Sequence, residues 1–330
     1  MKTKKLGNSD VIVSSQGLGC MGMSEFYGDS DKENAKTVIS TAVDLGVNFF
    51  DTADMYGYGE NEKLVGEAID QIPNRENLVI ATKCGIVRDK SQPALREFNN
   101  SPDYIMSSCN SSTERLGTYI DLYYLHRVVD DKKILGDAMK AMATLLKQGK
   151  IRAVGLSEVS AENIKFAHAR LLDLTDGKQG LSAIQTEYSL LSRDVEQNGV
   201  LDTCHNLGLS FVAYSPICRG LLSGEIDSLD GLHNNDFRRN LPRFSGNNLD
   251  YNNQFTQSMS AIANDKHCTT AQLSLAWLAH RHDNVITLPG TKRLTYLQQN
   301  VAAVDIALTH DEYSHITSLS DQFIVKGDRY

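Results

Sequence analysis

The chain is short of prolines, with only 6 in 330 residues, and it has a single tryptophan. Its six cysteines, Cys20, Cys84, Cys109, Cys204, Cys218 and Cys268, are scattered and contain no Cys-x-x-Cys pair. That spacing points to reduced thiols rather than a zinc site or a disulfide framework. No apolar run approaches the ~20 residues that a membrane span needs. The start, MKTKKLGNSD, is basic but no apolar stretch follows it, so it does not read as a signal peptide. Basic residues do not predominate either: 33 Lys and Arg stand against 41 Asp and Glu, a formal charge of −8. This is a poor composition for a nucleic-acid binder, although a local basic pocket remains compatible with it. These absences place the protein in a reducing, cytoplasmic setting without a nucleic-acid or membrane partner. The remaining composition, 41% hydrophobic and 22% charged, is that of an ordinary globular chain.

Eight short β-prone runs recur along the chain: SSQGLGCM, VNFF up to Asp51, LVIATK up to Lys83, DLYYLHR around His126, IRAVGLS, AIQTEYS, SFVAYSP and VITLPG. They are continuously apolar more often than alternating, as expected for strands covered on both faces. Helical patterns lie between them. ENEKLVGEAIDQI sets Leu64, Val65, Ala68, Ile69 and Ile72 on one face. Ser101-Pro102-Asp103 reads as a helix start, and Gly149 as the stop of a helix whose apolar set is Ile134, Leu135, Met139, Met142, Leu145 and Leu146. Trp277, in AQLSLAWLAHR, reads as a core residue. The alternation predicts an α/β fold, a (β/α)8 (TIM) barrel formed by residues 1–330 as a single domain. The glycines of GLGCMG do not precede a helix pattern, so they are not a dinucleotide fingerprint.

Two segments fall outside the repeat. Residues 4–14 read as a β-hairpin around Asn8-Ser9-Asp10, placed to close the bottom of the barrel. Residues 223–253 form a long polar loop after the seventh strand, with seven asparagines. A loop of that length is either a functional lid or a surface insertion.

Barrel active sites lie at the C-terminal ends of the strands. Three strands end there in ionisable groups: Asp51, Lys83 and His126. Tyr56 follows Asp51 by five residues. Singly, each is as readily a buried ion pair or a structural histidine. Together they form a proton-handling set. Lys83 would favour the Tyr56 phenolate, Asp51 would hold Lys83, and His126 would orient a carbonyl. No nucleophile is evident, so hydrolysis is not indicated. The other eight histidines show no metal-ligand spacing, and no metal site is expected.

At these residues the sequence resembles the aldo-keto reductase family, in the branch with a GLGCMGMS-type N-terminal motif. The resemblance runs through FFDTADMYGYGENEKLVGEAI, VIATKCG, DLYYLHR, IRAVGLSE, IQTEYSLL, VAYSPICRGLLSG and LPGTKRLTYLQQN. It implies a small-molecule carbonyl substrate and reduction of an aldehyde or ketone by hydride transfer from NADPH. In that scheme Tyr56 is the general acid, tuned by Lys83 and Asp51, and His126 places the carbonyl. It also implies cofactor contacts. Gly19, Cys20 and Met21 would lie beneath the nicotinamide ribose, with Asp51 nearby. Ser157 and Gln185 would hold the carboxamide, and Tyr214 would stack on the ring. Ser215, Ile217, Arg219, Gly220 and Leu221 would wrap the pyrophosphate. Gly290, Thr291, Lys292 and Arg293 would lie at the adenosine end, with Gln299 and Asn300 near the adenine. The pair Lys292-Arg293 is chemically suited to a 2′-phosphate dianion, although it also reads as a solvated helix start.

The chain departs from the family pattern at Glu158, where Asn is common, at Gln299, where Glu is commoner, and at Tyr296, where Arg is frequent. It stops soon after Lys326-Gly327-Asp328, whereas longer C-terminal loops often line the substrate pocket. Met23, Tyr27 and Arg127, with Tyr56 and His126, are the candidate substrate contacts. Arg127 would either attract an anionic substrate group or pair within the barrel rim. A second class, a cofactor-binding redox sensor or regulatory subunit with little turnover, differs from a reductase in holding cofactor without consuming it. The sequence does not indicate an oligomeric state.

Overall fold

The computed structural model describes residues 1–330, apart from the side chains of residues 93–95. Twelve strands are numbered in chain order: β1 (Thr3–Lys5), β2 (Ile12–Ser14), β3 (Leu18–Gly19), β4 (Phe49–Asp51), β5 (Val79–Cys84), β6 (Ile86–Asp89), β7 (Gln92–Phe98), β8 (Ile120–Leu125), β9 (Ile151–Ser157), β10 (Ala183–Glu187), β11 (Ser210–Tyr214) and β12 (Val285–Leu288). Eight of them, β3, β4, β5 and β8 to β12, pair in that order as one parallel sheet. Parallel bridges Gln16–Thr287 and Gly19–Gly290 bring the two edges together. They are supported by Gly17 N–H to Thr287 O at 2.9 Å and Gly19 N–H to Pro289 O at 3.1 Å. The result is the (β/α)8 barrel that the alternation predicts.

The interior and the floor of this barrel form one apolar cluster. Leu6, Val11 and Val13 of the N-terminal hairpin pack with Phe49, Leu122 and Tyr124 of the barrel strands. β1 and β2 pair antiparallel, with Lys4 opposite Val13. Gly7 N–H donates to Ser210 Oγ at 2.8 Å, and Lys4 Nζ donates to Val285 O at 3.0 Å. Both partners lie at strand starts, so the hairpin plugs the N-terminal mouth and leaves the opposite mouth for chemistry. Gly7 has φ +56°, and a Cβ there would stand 2.3 Å from Ser182 O. A side chain at this position would lift the plug away.

Helices cover the outside of the sheet. Lys132–Lys147 buries Leu135, Met139, Met142 and Leu145 and ends before Gly149, at φ +68°. Ile134 departs from its expected place on the buried face: it lies in the first turn and is 38% exposed. The helix Pro102–Leu116 starts with Ser101 as its N-cap. Trp277 is fully buried, and its indole N–H donates to Thr317 Oγ1 at 2.9 Å.

The long polar segment is only partly loop. Short 3-10 turns occupy Phe237–Asn240 and Pro242–Phe244, and residues from Asn247 belong to a helix, Asn247–Ser258. The polar composition conceals a narrow buried face of Leu249, Asn252, Phe255 and Thr256. Sequence reading also passed over the antiparallel hairpin of β6 and β7, which stands at the mouth beside the third barrel strand.

Candidate active site

Asp51 is the last residue of β4, Lys83 lies at the end of the neighbouring β5, and His126 immediately follows the next strand, β8. Three adjacent strands therefore deliver the three groups to one mouth of the barrel. Their ladders continue past the strand ends. Thr52 N–H donates to Ala81 O at 2.9 Å, Asp54 N–H to Lys83 O at 3.1 Å, and His126 N–H to Cys84 O at 2.7 Å. The chain then turns through Tyr56–Gly59, with Gly57 and Tyr58 at positive φ, into the helix Glu60–Asp70. Asn61 pins this turn. It accepts from Thr52 Oγ1 at 2.6 Å and donates to Cys20 O at 2.9 Å and to Ser24 Oγ at 2.7 Å.

Lys83 is fully buried, and its ammonium group donates to Asp51 Oδ1 and, at 2.9 Å, to Thr52 O. The other Asp51 oxygen accepts from Gln185 Nε2 at 2.8 Å. A buried charge is tolerable only when it is paired and hydrogen-bonded in this way. Burial pushes the Lys83 pKa down and Asp51 opposes that shift. Lys83 Nζ lies 5.3 Å from the centre of the Tyr56 ring. The Tyr56 and His126 rings meet edge to face with centroids 5.7 Å apart. The Tyr56 hydroxyl makes no hydrogen bond to the described protein.

The direction of the Tyr56 shift differs from the sequence expectation. Burial first, and then the Asp51 charge, push the phenol well above its ordinary value. The Arg127 charge opposes this shift without reversing it. His126 is driven the other way: burial and the charges of Lys83, Arg127 and Arg96 hold it well below the usual histidine range. At neutral pH the site therefore presents a protonated phenol and a neutral imidazole. His126 Nδ1 is occluded and has no hydrogen-bond partner.

The remaining candidates sort by position. Cys20 is buried, its N–H donates to Asp51 O at 2.9 Å, and burial raises its thiol pKa to about 12. Gly19 faces Gly290 across the barrel seam, and Met21 begins the 3-10 turn Met21–Met23. Ser157 pairs in register with Gln185 on β9 and β10, and Tyr214 ends β11. The following segment is irregular: Ser215, Cys218, Arg219 and Gly220 all have positive φ, Ile217 is half-buried and Leu221 is fully buried. Non-glycine residues held in this region cost ~1–3 kcal/mol each and concentrate at functional sites. Met23 is 1% exposed, within the core between barrel and helices. The Tyr27 ring stands edge-on to Phe237 at 5.0 Å and under the Arg238 guanidinium at 5.0 Å.

At the adenosine-end candidates, Lys292 is already engaged. Its ammonium group donates to Tyr27 O, at 2.7 Å, and to Asp29 O. Arg293 is exposed, stacks on Tyr296 at 5.3 Å and N-caps the helix Leu294–Ala302. Its N–H is held by Thr291 Oγ1 at 3.0 Å. Gln299 gives its carbonyl to Gln272 Nε2 at 3.0 Å, and Asn300 is buried.

Some polar groups at this mouth were not singled out from the sequence. Glu187, the last residue of β10, is buried and accepts two bonds from Arg219, at 3.1 and 2.6 Å. It ends an apolar strand just as Asp51 does, and that signal was available. Glu158, which the sequence does mark as a departure from the family pattern, has φ +50°, accepts from Glu187 N–H at 3.0 Å and pairs with Arg329 at 3.4 Å. The C-terminal segment thus crosses this mouth, and the Tyr330 hydroxyl lies 3.1 Å from that of Tyr214. Asp54 Oδ1 is occluded and unpartnered, and burial and Glu62 raise its pKa to about 8. Arg88 donates to Glu25 at 2.7 Å and to Met55 O at 2.8 Å, and packs over the Tyr58 ring at 4.2 Å.

Comparison with known proteins agrees with this architecture. The model of the Aldo/keto reductase family matches residues 17–321. A curated relative, aldo-keto reductase yakc [NADP(+)] of Schizosaccharomyces pombe, is 37% identical over 99% of this chain and 94% of its own. The glycerol dehydrogenase AKR11B4 of Gluconobacter oxydans superposes with a TM-score of 0.82 at 25% identity, over 99% of this chain and 97% of that one. The aldo-keto reductase AKR11C1 of Bacillus halodurans, in its holo form, gives 0.77 at 30% identity, covering 97% and 96%. The chain belongs to the aldo/keto reductase family and is, by that membership, an oxidoreductase.

Proposed function

We propose that the protein reduces an aldehyde or ketone to the alcohol with NADPH, using Tyr56 as the proton donor. The observation that carries this reading is the buried Lys83–Asp51 pair beside the facing rings of Tyr56 and His126, on three adjacent strand ends. NADPH, when bound, would supply the hydride for the carbonyl carbon. Tyr56 holds its proton at neutral pH because burial raises its pKa. It gives that proton to the carbonyl oxygen as negative charge develops there. The adjacent Lys83 ammonium stabilises the phenolate left behind, and Asp51 keeps Lys83 charged. Neutral His126 orients the carbonyl oxygen towards the phenol.

The donor set fits this cofactor. Ser157 and the free amide oxygen of Gln185 suit a carboxamide, and the Tyr214 ring suits a nicotinamide face. The irregular backbone from Ser215 to Leu221 suits a pyrophosphate. Arg293, at a helix N-terminus with its fork of donors uncommitted to any carboxylate, suits the 2′-phosphate better than Lys292, whose donors are spent on two carbonyls. Lys292 acts by tying the loop after β3 to the loop after β12. The S. pombe relative, named for NADP(+), supports the same cofactor.

Titration with NADPH and NADH, followed by a carbonyl assay monitored at the reduced nicotinamide absorbance, tests this reading. NADPH should bind the more tightly and be consumed only when a carbonyl compound is present. Arg293→Ala should weaken NADPH on the order of tenfold and leave NADH nearly unchanged. Equal losses for both nucleotides would move the 2′-phosphate elsewhere, and consumption of neither would contradict the reading.

A further inference from the structure

Several cations around the mouth are matched by carboxylates. Lys83 is matched by Asp51, Arg219 by Glu187, and Arg88 by Glu25. Among the described residues, Arg127 and Arg96 form no ion pair. Arg127 directly follows His126 and is half-buried; a single contact is made by its guanidinium, from Nη1 to His126 O at 2.7 Å. Its backbone is fixed by Asn100, whose Nδ2 donates to Arg127 O at 3.0 Å while its Oδ1 accepts from Val129 N–H at 2.8 Å. A guanidinium has five N–H donors, so most of those on Arg127 are uncommitted. Arg127 lies close enough to Tyr56 and Lys83 for its charge to act on both.

Arg96 stands directly opposite Arg88 in the β6–β7 hairpin. Residues opposite each other in an antiparallel pair project from the same face, so Arg96, which is exposed, shares the hairpin face on which Arg88 packs against Tyr58. Two like charges opposite each other are unfavourable. Glu25 relieves only Arg88. The Arg96 charge, like that of Arg127, acts on His126. In a protein of net charge −8, two guanidinium groups without an ion-pair partner among the described residues thus stand on the His126 side of the mouth, Arg127 as its chain neighbour and Arg96 on the β6–β7 hairpin.

We propose that Arg127, assisted by Arg96, forms an anion subsite, and that the preferred substrates are carbonyl compounds carrying a carboxylate or phosphate a few bonds from the reacting carbon. The proposal rests on the carbonyl-reductase reading given above. The subsite leaves the hydride and proton transfers unchanged and acts by holding the remote anion with charge-assisted hydrogen bonds.

The test compares 4-carboxybenzaldehyde with its methyl ester, which differ in the remote charge while presenting the same aldehyde. The acid-to-ester ratio of kcat/KM is measured within each variant, so a general loss of activity cancels. In the wild type the ratio should be on the order of tenfold or more at low salt and should fall as salt rises. Arg127→Met should bring it close to one, Arg127→Lys should restore part of it, and Arg96→Met should lower it partially. A wild-type ratio at or below one, or a ratio that neither methionine variant changes, would overturn the subsite. If neither aldehyde is consumed, the reductase reading fails. Benzoate binding by calorimetry then decides the subsite alone: binding lost in Arg127→Met supports it, and equal binding in both proteins overturns it.

Discussion

Lys83 and Asp51 form the buried ion pair of this mouth: neither reaches solvent to any useful extent, and each offsets the other's desolvation. Asp54, three residues further on, has no such partner. Its pKa, raised to about 8, means that the fold binds the proton more tightly than the unfolded chain does. The stability this provides is complete below the ordinary carboxylate range, and it is lost as pH rises through about 8. Asp54→Asn removes the titration while keeping the shape. The melting-temperature gain of Asp54→Asn over wild type should therefore be larger at about pH 9 than at about pH 5. A gain of the same size at both pH values would show that Asp54 ionises normally in the fold.

The structural elements around the mouth are secured by side chains that sequence reading took for loop polarity. Asn252 is fully buried in the helix Asn247–Ser258. Its amide donates to Arg243 O at 3.1 Å and to Lys326 O at 2.9 Å, and its oxygen accepts from Lys326 N–H at 2.9 Å. One asparagine thus clasps the segment after β11 to the C-terminal segment. Asn252→Ala leaves these backbone groups unpaired and should cost on the order of 3 kcal/mol. Amide exchange at Lys326 should rise with it, and unchanged exchange there would show that the clasp carries little. The eight barrel strands were legible because continuous apolar runs ending in Asp51, Lys83 and His126 require both burial and an active mouth. The β6–β7 hairpin was not legible. Its sequence, IVRDKSQPALREF, is charged and contains Pro93, and among its described residues only Ile86 is buried, so no periodic signal marks it.

At the scale of the whole molecule, the hairpin plug and the barrel seam leave a single mouth at which strand ends, the Ser215–Leu221 segment and the C-terminal segment converge. The catalytic candidates were readable from sequence because strand ends fix position, and position turned four separate residues into a set. The partners that already occupy Lys292 and Arg219 were not readable. They depend on contacts between residues 265 and 32 positions apart, for which the sequence carries no local pattern. The direction of the Tyr56 shift was missed for a related reason: burial and the Asp51 charge, both set by the tertiary fold, outweigh the Arg127 charge that opposes them.

Tyr56→Phe tests the central claim most directly, because it removes one hydroxyl and almost no surface. With NADPH binding measured in parallel, carbonyl reduction should fall ~10²–10⁴-fold while cofactor affinity stays within about twofold. Reduction at close to the wild-type kcat would contradict the assignment of Tyr56 as the proton donor.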